Sequence, residues 1–152
     1  MKQIILLSTC ALLLAGCSLS NNTQSQISND QSLTSSVSQH DYSEVSERFI
    51  SWNEIFSMPE DFYYVYFYSL TCSHCNEIKD EVIECVLSMK KAIYIVQESS
   101  EFNYTDNSNK TIGATSCENF AITGFPTVVS IDHKVVASNN SGTTAVKKAL
   151  NL

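Results

Sequence analysis

Phe62-Tyr63-Tyr64-Val65-Tyr66-Phe67-Tyr68 is an unbroken run of seven aromatic or β-branched residues. Residues of this kind suit a pleated strand, and a run with no polar alternation is buried on both faces. A strand covered on both sides needs material packed above and below it. That points to an α/β architecture with a central sheet. Four residues after the run comes Cys72-Ser73-His74-Cys75. From Cys75 onward Ile78, Val82, Cys85, Val86 and Met89 recur at helical spacing, with Lys79, Asp80, Glu81 and Glu84 largely on the opposite side. Lys90 and Lys91 suit the negative end of that helix. Ala92–Val96 reads as a second buried strand. Strand, helix and strand in so short a span predict a parallel crossover.

The rest of the chain is organised around this unit. Phe49-Ile50 reads as a short strand. Ser51 and Glu54 have capping-box spacing, which predicts a helix through Phe56 that Pro59 stops. Residues 98–115 read as a polar surface loop. A short helix is expected around Cys117–Phe120. Thr127–Ile131 and Lys134–Ser138 read as a hairpin turning at Asp132-His133, and Ala145–Leu150 as a closing helix. Trp52 is assigned to the core. His40 and His133 are read as solvated.

The N-terminus reads as an address. Lys2 precedes an apolar stretch from Ile4 to Leu14, too short for a membrane-spanning helix, which needs about 20 residues. Leu14-Ala15-Gly16-Cys17 resembles the bacterial lipobox. That resemblance implies cleavage before Cys17 and a lipid on its sulfur, with residues 1–16 as signal peptide. Seventeen of the 22 residues in 18–39 are Ser, Asn, Gln or Thr, so residues 17–40 read as a lipidated tether. Residues 41–152 form the folded domain. The protein is then extracytoplasmic and lipid-anchored to a bacterial membrane, where disulfides persist. The formal net charge is −7, with 9 basic residues against 16 acidic ones. A chain so acidic has no electrostatic footprint for nucleic acid.

Chemistry concentrates in the Cys-x-x-Cys. Cys72 falls at the N-terminal edge of the predicted helix, where unpaired amides and the helix dipole stabilise a thiolate. One turn later Cys75 returns within disulfide reach. His74, between them, favours the Cys72 thiolate further if it is protonated or donates. Zinc needs a second ligand pair, and Cys85, Cys117, His40 and His133 are not paired at ligand spacing, so no metal and no cofactor is expected. A purely structural disulfide would close only a four-residue loop and remove little unfolded-state entropy.

Tyr68-Ser69-Leu70-Thr71-Cys72-Ser73-His74-Cys75, followed some 50 residues later by Gly124-Phe125-Pro126-Thr127, resembles the thioredoxin-like superfamily. The extracytoplasmic lipoprotein members are the nearest in kind, and the stretch around the cysteines is also similar to DsbA-type oxidases. The resemblance covers roughly residues 48–150. It implies a three-layer α/β/α fold with a central mixed sheet of four to five strands. It implies a redox-active Cys72–Cys75 disulfide, with Cys72 attacking and Cys75 resolving. It also implies a cis peptide before Pro126 and a substrate-binding role for Phe125, Pro126 and Thr127.

Three features depart from the pattern. Tyr66 stands where many thioredoxins bury an acid, and a neutral phenol cannot do that acid's work near pH 7. Thr71 replaces an aromatic residue, and Ser73-His74 is neither Gly-Pro nor Pro-His. His74 matches the oxidising type, while the lack of an inserted helical domain points to a compact thioredoxin-like shape. The functional expectation is a membrane-tethered thiol–disulfide oxidoreductase. Its partners would be exported protein thiols or disulfides and a membrane electron donor or acceptor. The alternative is a thioredoxin-shaped binding or accessory lipoprotein without redox turnover. Cys85, on the apolar stripe, reads as a small buried hydrophobe, and its pairing with Cys117 is left open.

Overall fold

The computed structural model describes residues 39–88 and 90–152. The expected signal peptide, the expected lipidation residue Cys17, nearly all of the expected tether and Met89 lie outside the described residues. Four strands form one mixed sheet: β1 (Phe62–Tyr68), β2 (Ile93–Gln97), β3 (Thr127–Asp132) and β4 (Val135–Ser141), in the order β2-β1-β3-β4. The aromatic run is β1, second in that order. It pairs in parallel with β2 through α1 (Ser73–Leu87), and antiparallel with β3. The helix α2 (Thr143–Leu150) closes the chain. This is an α/β fold with a central mixed four-stranded sheet and flanking helices. Phe49 makes a single parallel bridge to Ile95, so a fifth strand exists only as one residue pair at the outer edge of β2.

Strand pleating divides the aromatic run between two cores. Tyr66 and Tyr68 face α1 and α2, packing with Cys75, Ile78, Val82, Ile83, Val146 and Leu150. Tyr63, Val65 and Phe67 face the other way, onto Trp52, Phe102, Phe120 and Ile122. Both α-helices lie on the first face. The second is covered by short turns and irregular chain, so the helices expected there are not formed. Trp52–Glu54 is a three-residue 3₁₀ turn instead of a helix through Phe56. Its start is still tied, because the Glu54 carboxylate accepts from the Ser51 amide at 2.7 Å and the Ser51 hydroxyl at 2.8 Å. Cys117–Phe120 is a turn, with the Asn119 amide on the Ser116 carbonyl at 3.2 Å.

The largest departure is residues 98–115. Phe102, Thr111 and Ala114 are buried there, and Ser108–Thr111 forms a 3₁₀ turn. Phe102 stacks on Trp52 with ring centres 4.7 Å apart. The segment is polar by count, but its one phenylalanine fills the second core. The predicted hairpin is present, turning one residue later than read. His133 and Lys134 both have positive φ, 48° and 65°, the backbone of a two-residue hairpin loop whose twist matches the strands. Lys90 and Lys91 lie beyond the end of α1, and the Lys91 amino group donates to the Leu150 carbonyl rather than capping α1. His40 is docked rather than solvated. Its amide donates to Asp80 at 3.1 Å, and its ring nitrogens meet Glu44 at 3.0 Å and Glu84 at 3.6 Å. The polar face of α1 supplies Asp80 and Glu84, and Glu44 comes from the 3₁₀ segment Tyr42–Arg48. His133 is largely exposed, as read.

Candidate active site

At the end of β1 the chain leaves the sheet through Ser69-Leu70-Thr71. The Thr71 amide donates to the Ser69 hydroxyl at 3.3 Å, and the Cys72 amide to the Ser69 carbonyl at 3.2 Å. This tight turn delivers Cys72, in extended backbone, to the cap position of α1. Its Sγ accepts the Cys75 amide at 3.1 Å, so the sulfur takes the place that a serine or aspartate oxygen fills in an ordinary N-cap. A sulfur held there faces the positive end of the helix.

The two cysteines are thereby brought together but are differently exposed. Cys72 is half-buried and Cys75 is 1% exposed. Burial, with the neighbouring Cys72 sulfur second, pushes the Cys75 thiol up to about 12. One sulfur is therefore accessible, and the other is held back as a protonated thiol.

Ser73 opens the helix and is exposed. His74 turns outward, its Nδ1 3.2 Å from Glu77, and lines a shallow depression with Lys148 and the start of α2. Tyr66 lies in the core that holds Cys75 and is fully buried.

The second loop arrives from the other side of the motif. The Phe125–Pro126 peptide is cis, as the resemblance implied. Thr127 pairs with Phe67, so Pro126 sits one step further, at the end of the sheet where β1 runs out toward Cys72. The Pro126 carbonyl accepts the Gly142 amide at 2.8 Å. Gly142 has φ +87°, a backbone that side chains other than hydrogen disfavour, and its own carbonyl accepts the Val146 amide to begin α2. Phe125 is partly buried and touches both cores, with its ring 5.9 Å from Phe102 and 6.4 Å from Tyr104. Thr127 is fully buried. Its hydroxyl donates to the Gly124 carbonyl at 2.7 Å and lies 2.6 Å from the Ser141 hydroxyl, so its side chain braces the loop and does not face a substrate.

The four described cysteines are free thiols. Cys85 packs with the helix-side core and Cys117 with the opposite one, where its Sγ donates to the Trp52 carbonyl at 3.0 Å. The sheet separates them, so they do not pair. Burial raises both thiols above the ordinary value.

Tyr42 is the residue that sequence reading missed. It comes from the 3₁₀ segment Tyr42–Arg48, and its ring lies over Tyr68 with centres 4.0 Å apart. Nothing in its local pattern connects it with the cysteines.

No protein-family model matches the chain, and no curated protein does. Among solved structures, the chain is similar to a thioredoxin of Plasmodium falciparum. Identity is 21%, covering 68% of this chain and 96% of that one, with a TM-score of 0.49. It is also similar to thioredoxin f2 of Chlamydomonas reinhardtii, at 12% identity over 66% of this chain and 88% of that one, with a TM-score of 0.43.

Proposed function

We propose that the protein is a membrane-tethered, extracytoplasmic thiol–disulfide oxidoreductase acting on exported proteins. The observation that carries the reading is the Cys72 sulfur at the helix cap, with Cys75 buried one turn behind it. Cys72 is the more accessible member of the pair, so it attacks a substrate disulfide. A mixed disulfide forms and the first substrate sulfur leaves with a proton. Cys75 then attacks Cys72, the Cys72–Cys75 bond forms, and the second substrate sulfur leaves. Two electrons pass from the cysteine pair to the substrate, and the reverse sequence oxidises a dithiol. The cis Phe125–Pro126 loop offers its backbone to an extended substrate segment, in strand-like pairing. A lipid on Cys17 and the polar tether hold this domain near the membrane, within reach of a membrane electron donor or acceptor.

The test is trapping with a disulfide-bonded protein substrate. Cys72→Ser abolishes exchange, and Cys75→Ser accumulates mixed disulfides that thiol reductant releases. Full exchange by both variants would sink the reading. Equilibration of the pair with glutathione sets the direction. A potential of about −120 mV makes the protein an oxidant, and one of about −270 mV a reductant.

A further inference from the structure

Buried polar groups without partners are rare in folded proteins, and each asks for an explanation. Among the described residues three such side-chain atoms occur: the hydroxyls of Tyr42 and Tyr66 and the side-chain oxygen of Asn139. Two of the three belong to one place, the core behind Cys75. Tyr66 is fully buried on β1, and Tyr42 reaches the same core from the N-terminal 3₁₀ segment. Neither hydroxyl attains hydrogen-bonding geometry with a described partner. Yet both pack with Cys75 in that one core around Tyr68, whose ring centre lies 4.0 Å from that of Tyr42 and 6.3 Å from that of Tyr66, and the Tyr66 hydroxyl favours the Cys75 thiolate against the larger effect of burial. Burial holds both phenols protonated far above neutral pH.

We propose that Tyr42 and Tyr66 are a pair of positioning residues for the resolving cysteine: two neutral donors, left without acceptors in the dithiol state, that receive the negative charge of Cys75 as it attacks. The proposal rests on the oxidoreductase reading and deepens it. A thiol accepts hydrogen bonds poorly and a thiolate accepts them well. Donors that idle beside Cys75–SH therefore act when its proton departs. In the resolving step the Cys75 S–H bond breaks and its proton passes to the departing substrate thiolate. The Cys72–Cys75 bond forms as the bond from Cys72 to the substrate breaks. The phenols keep their own protons throughout. Other titratable groups that face Cys75 are Cys72 on its own helix and Tyr68 on β1. Tyr68 is not free for this role, because its hydroxyl already donates to Gln97 at 3.0 Å. A phenol, unlike a carboxylate, stabilises the anion without being a base.

The magnitude follows from the hydrogen bond. A bond to a charged acceptor is worth roughly 1–2 pH units of thiol acidity. A more acidic thiol is also a weaker nucleophile, with a Brønsted slope of about 0.4–0.5, so roughly half the shift survives in the rate. Removing the donors therefore slows resolution by about four- to twenty-fold below the thiol's titration.

The test is stopped-flow reaction of the reduced protein with 5,5′-dithiobis(2-nitrobenzoate). Attack by Cys72 releases one nitrothiobenzoate at a rate set by reagent concentration, and resolution by Cys75 releases a second at a rate independent of it. In Tyr42→Phe/Tyr66→Phe the ratio of the second rate to the first falls four- to twenty-fold, and the pH–rate profile of the second phase moves upward. Tyr42→Phe and Tyr66→Phe alone give part of the effect. Melting midpoints no lower than wild type show that the fold is intact. A folded double variant whose second phase and pH profile match wild type overturns the proposal. Failure of the oxidoreductase reading looks different: the unmodified protein itself gives no second phase.

Discussion

Phe102→Ala separates two descriptions of residues 98–115 by a wide margin. If the segment were a solvated loop, the substitution would change stability by no more than about 0.5 kcal/mol. In the structure Phe102 is 7% exposed. Its ring stacks on Trp52 at 4.7 Å and meets Phe67 edge-on at 5.8 Å. It also lies 5.9 Å from Phe125 and 6.5 Å from Tyr104. A buried phenylalanine removes about 150 Å² or more from water, worth roughly 4 kcal/mol at 25 cal/mol/Å². Alanine keeps a small part of that. The cavity and the lost ring pairs at Trp52 and Phe67, about 0.5–1.5 kcal/mol each, add to the cost. The expected loss is about 4 kcal/mol, a large fraction of the 5–15 kcal/mol that holds a typical domain together. The melting midpoint falls by roughly 15–30 °C. Trp52 is the only tryptophan, so its fluorescence reports the unfolding of this core in urea. Because Phe102 touches that indole, far-ultraviolet circular dichroism is followed alongside, and the two transitions coincide. The urea slope stays the same while the midpoint drops. A loss under about 1 kcal/mol would refute the packing argument, since truncating a buried phenylalanine to alanine costs about 3–5 kcal/mol.

Two further outcomes follow from the same structure. Tyr63→Phe, on β1, costs about 1–3 kcal/mol, because the Tyr63 hydroxyl donates to the Ile55 carbonyl at 2.6 Å inside the core and the carbonyl is left orphaned. Thermal melts of Tyr63→Phe and Tyr66→Phe show the contrast: the same atom is deleted three residues apart, and only the first lowers the midpoint. The N-terminal segment is held best in mildly acidic solution. Hydrogen bonding to Glu44 raises His40 above its ordinary 6.5, so that contribution is complete below 6.5 and is lost as pH rises through the higher folded value. The Asp41 amide and His40 lower Glu44 below its ordinary 4.5, so that contribution is present above 4.5 and is lost on acidification. Hydrogen-exchange protection of the Asp41 and Ser43 amides is therefore greatest between about pH 4.5 and 6.5. A flat protection profile from pH 4 to 8 would contradict the docking of His40.

The parts of the molecule legible in one dimension are those whose signal lies in contiguous residues. Phe62–Tyr68 can hardly be anything but a buried strand. The Ile78, Val82 and Val86 spacing describes one face of α1, though it overlooks Ile83, which is buried beside them. Cys72 and Cys75 are separated by the spacing that a helix start closes, and Cys72 is its cap. The cis peptide before Pro126 came from resemblance and not from the local pattern. Thr127 came the same way, yet its side chain turns inward.

What stayed hidden shares one physical cause. Sequence periodicity records which residues share a face of their own element, and it is silent on what another part of the chain lays over that face. Phe102 sits among polar residues and is buried because Trp52 and Phe67 leave a hollow of its size. His40 is drawn from solvent by carboxylates that α1 presents. Helices at Phe56 and Cys117–Phe120 did not form, since a sheet face already filled by aromatic rings is covered by short turns. The residues of this chain declared a central strand and a cysteine pair at a helix start, because both are local arrangements of neighbouring side chains. Folding alone placed Tyr42, from an unremarkable N-terminal segment, with Tyr66 in the core that holds Cys75. That environment is a property of packing among distant residues, and no stretch of sequence contains it.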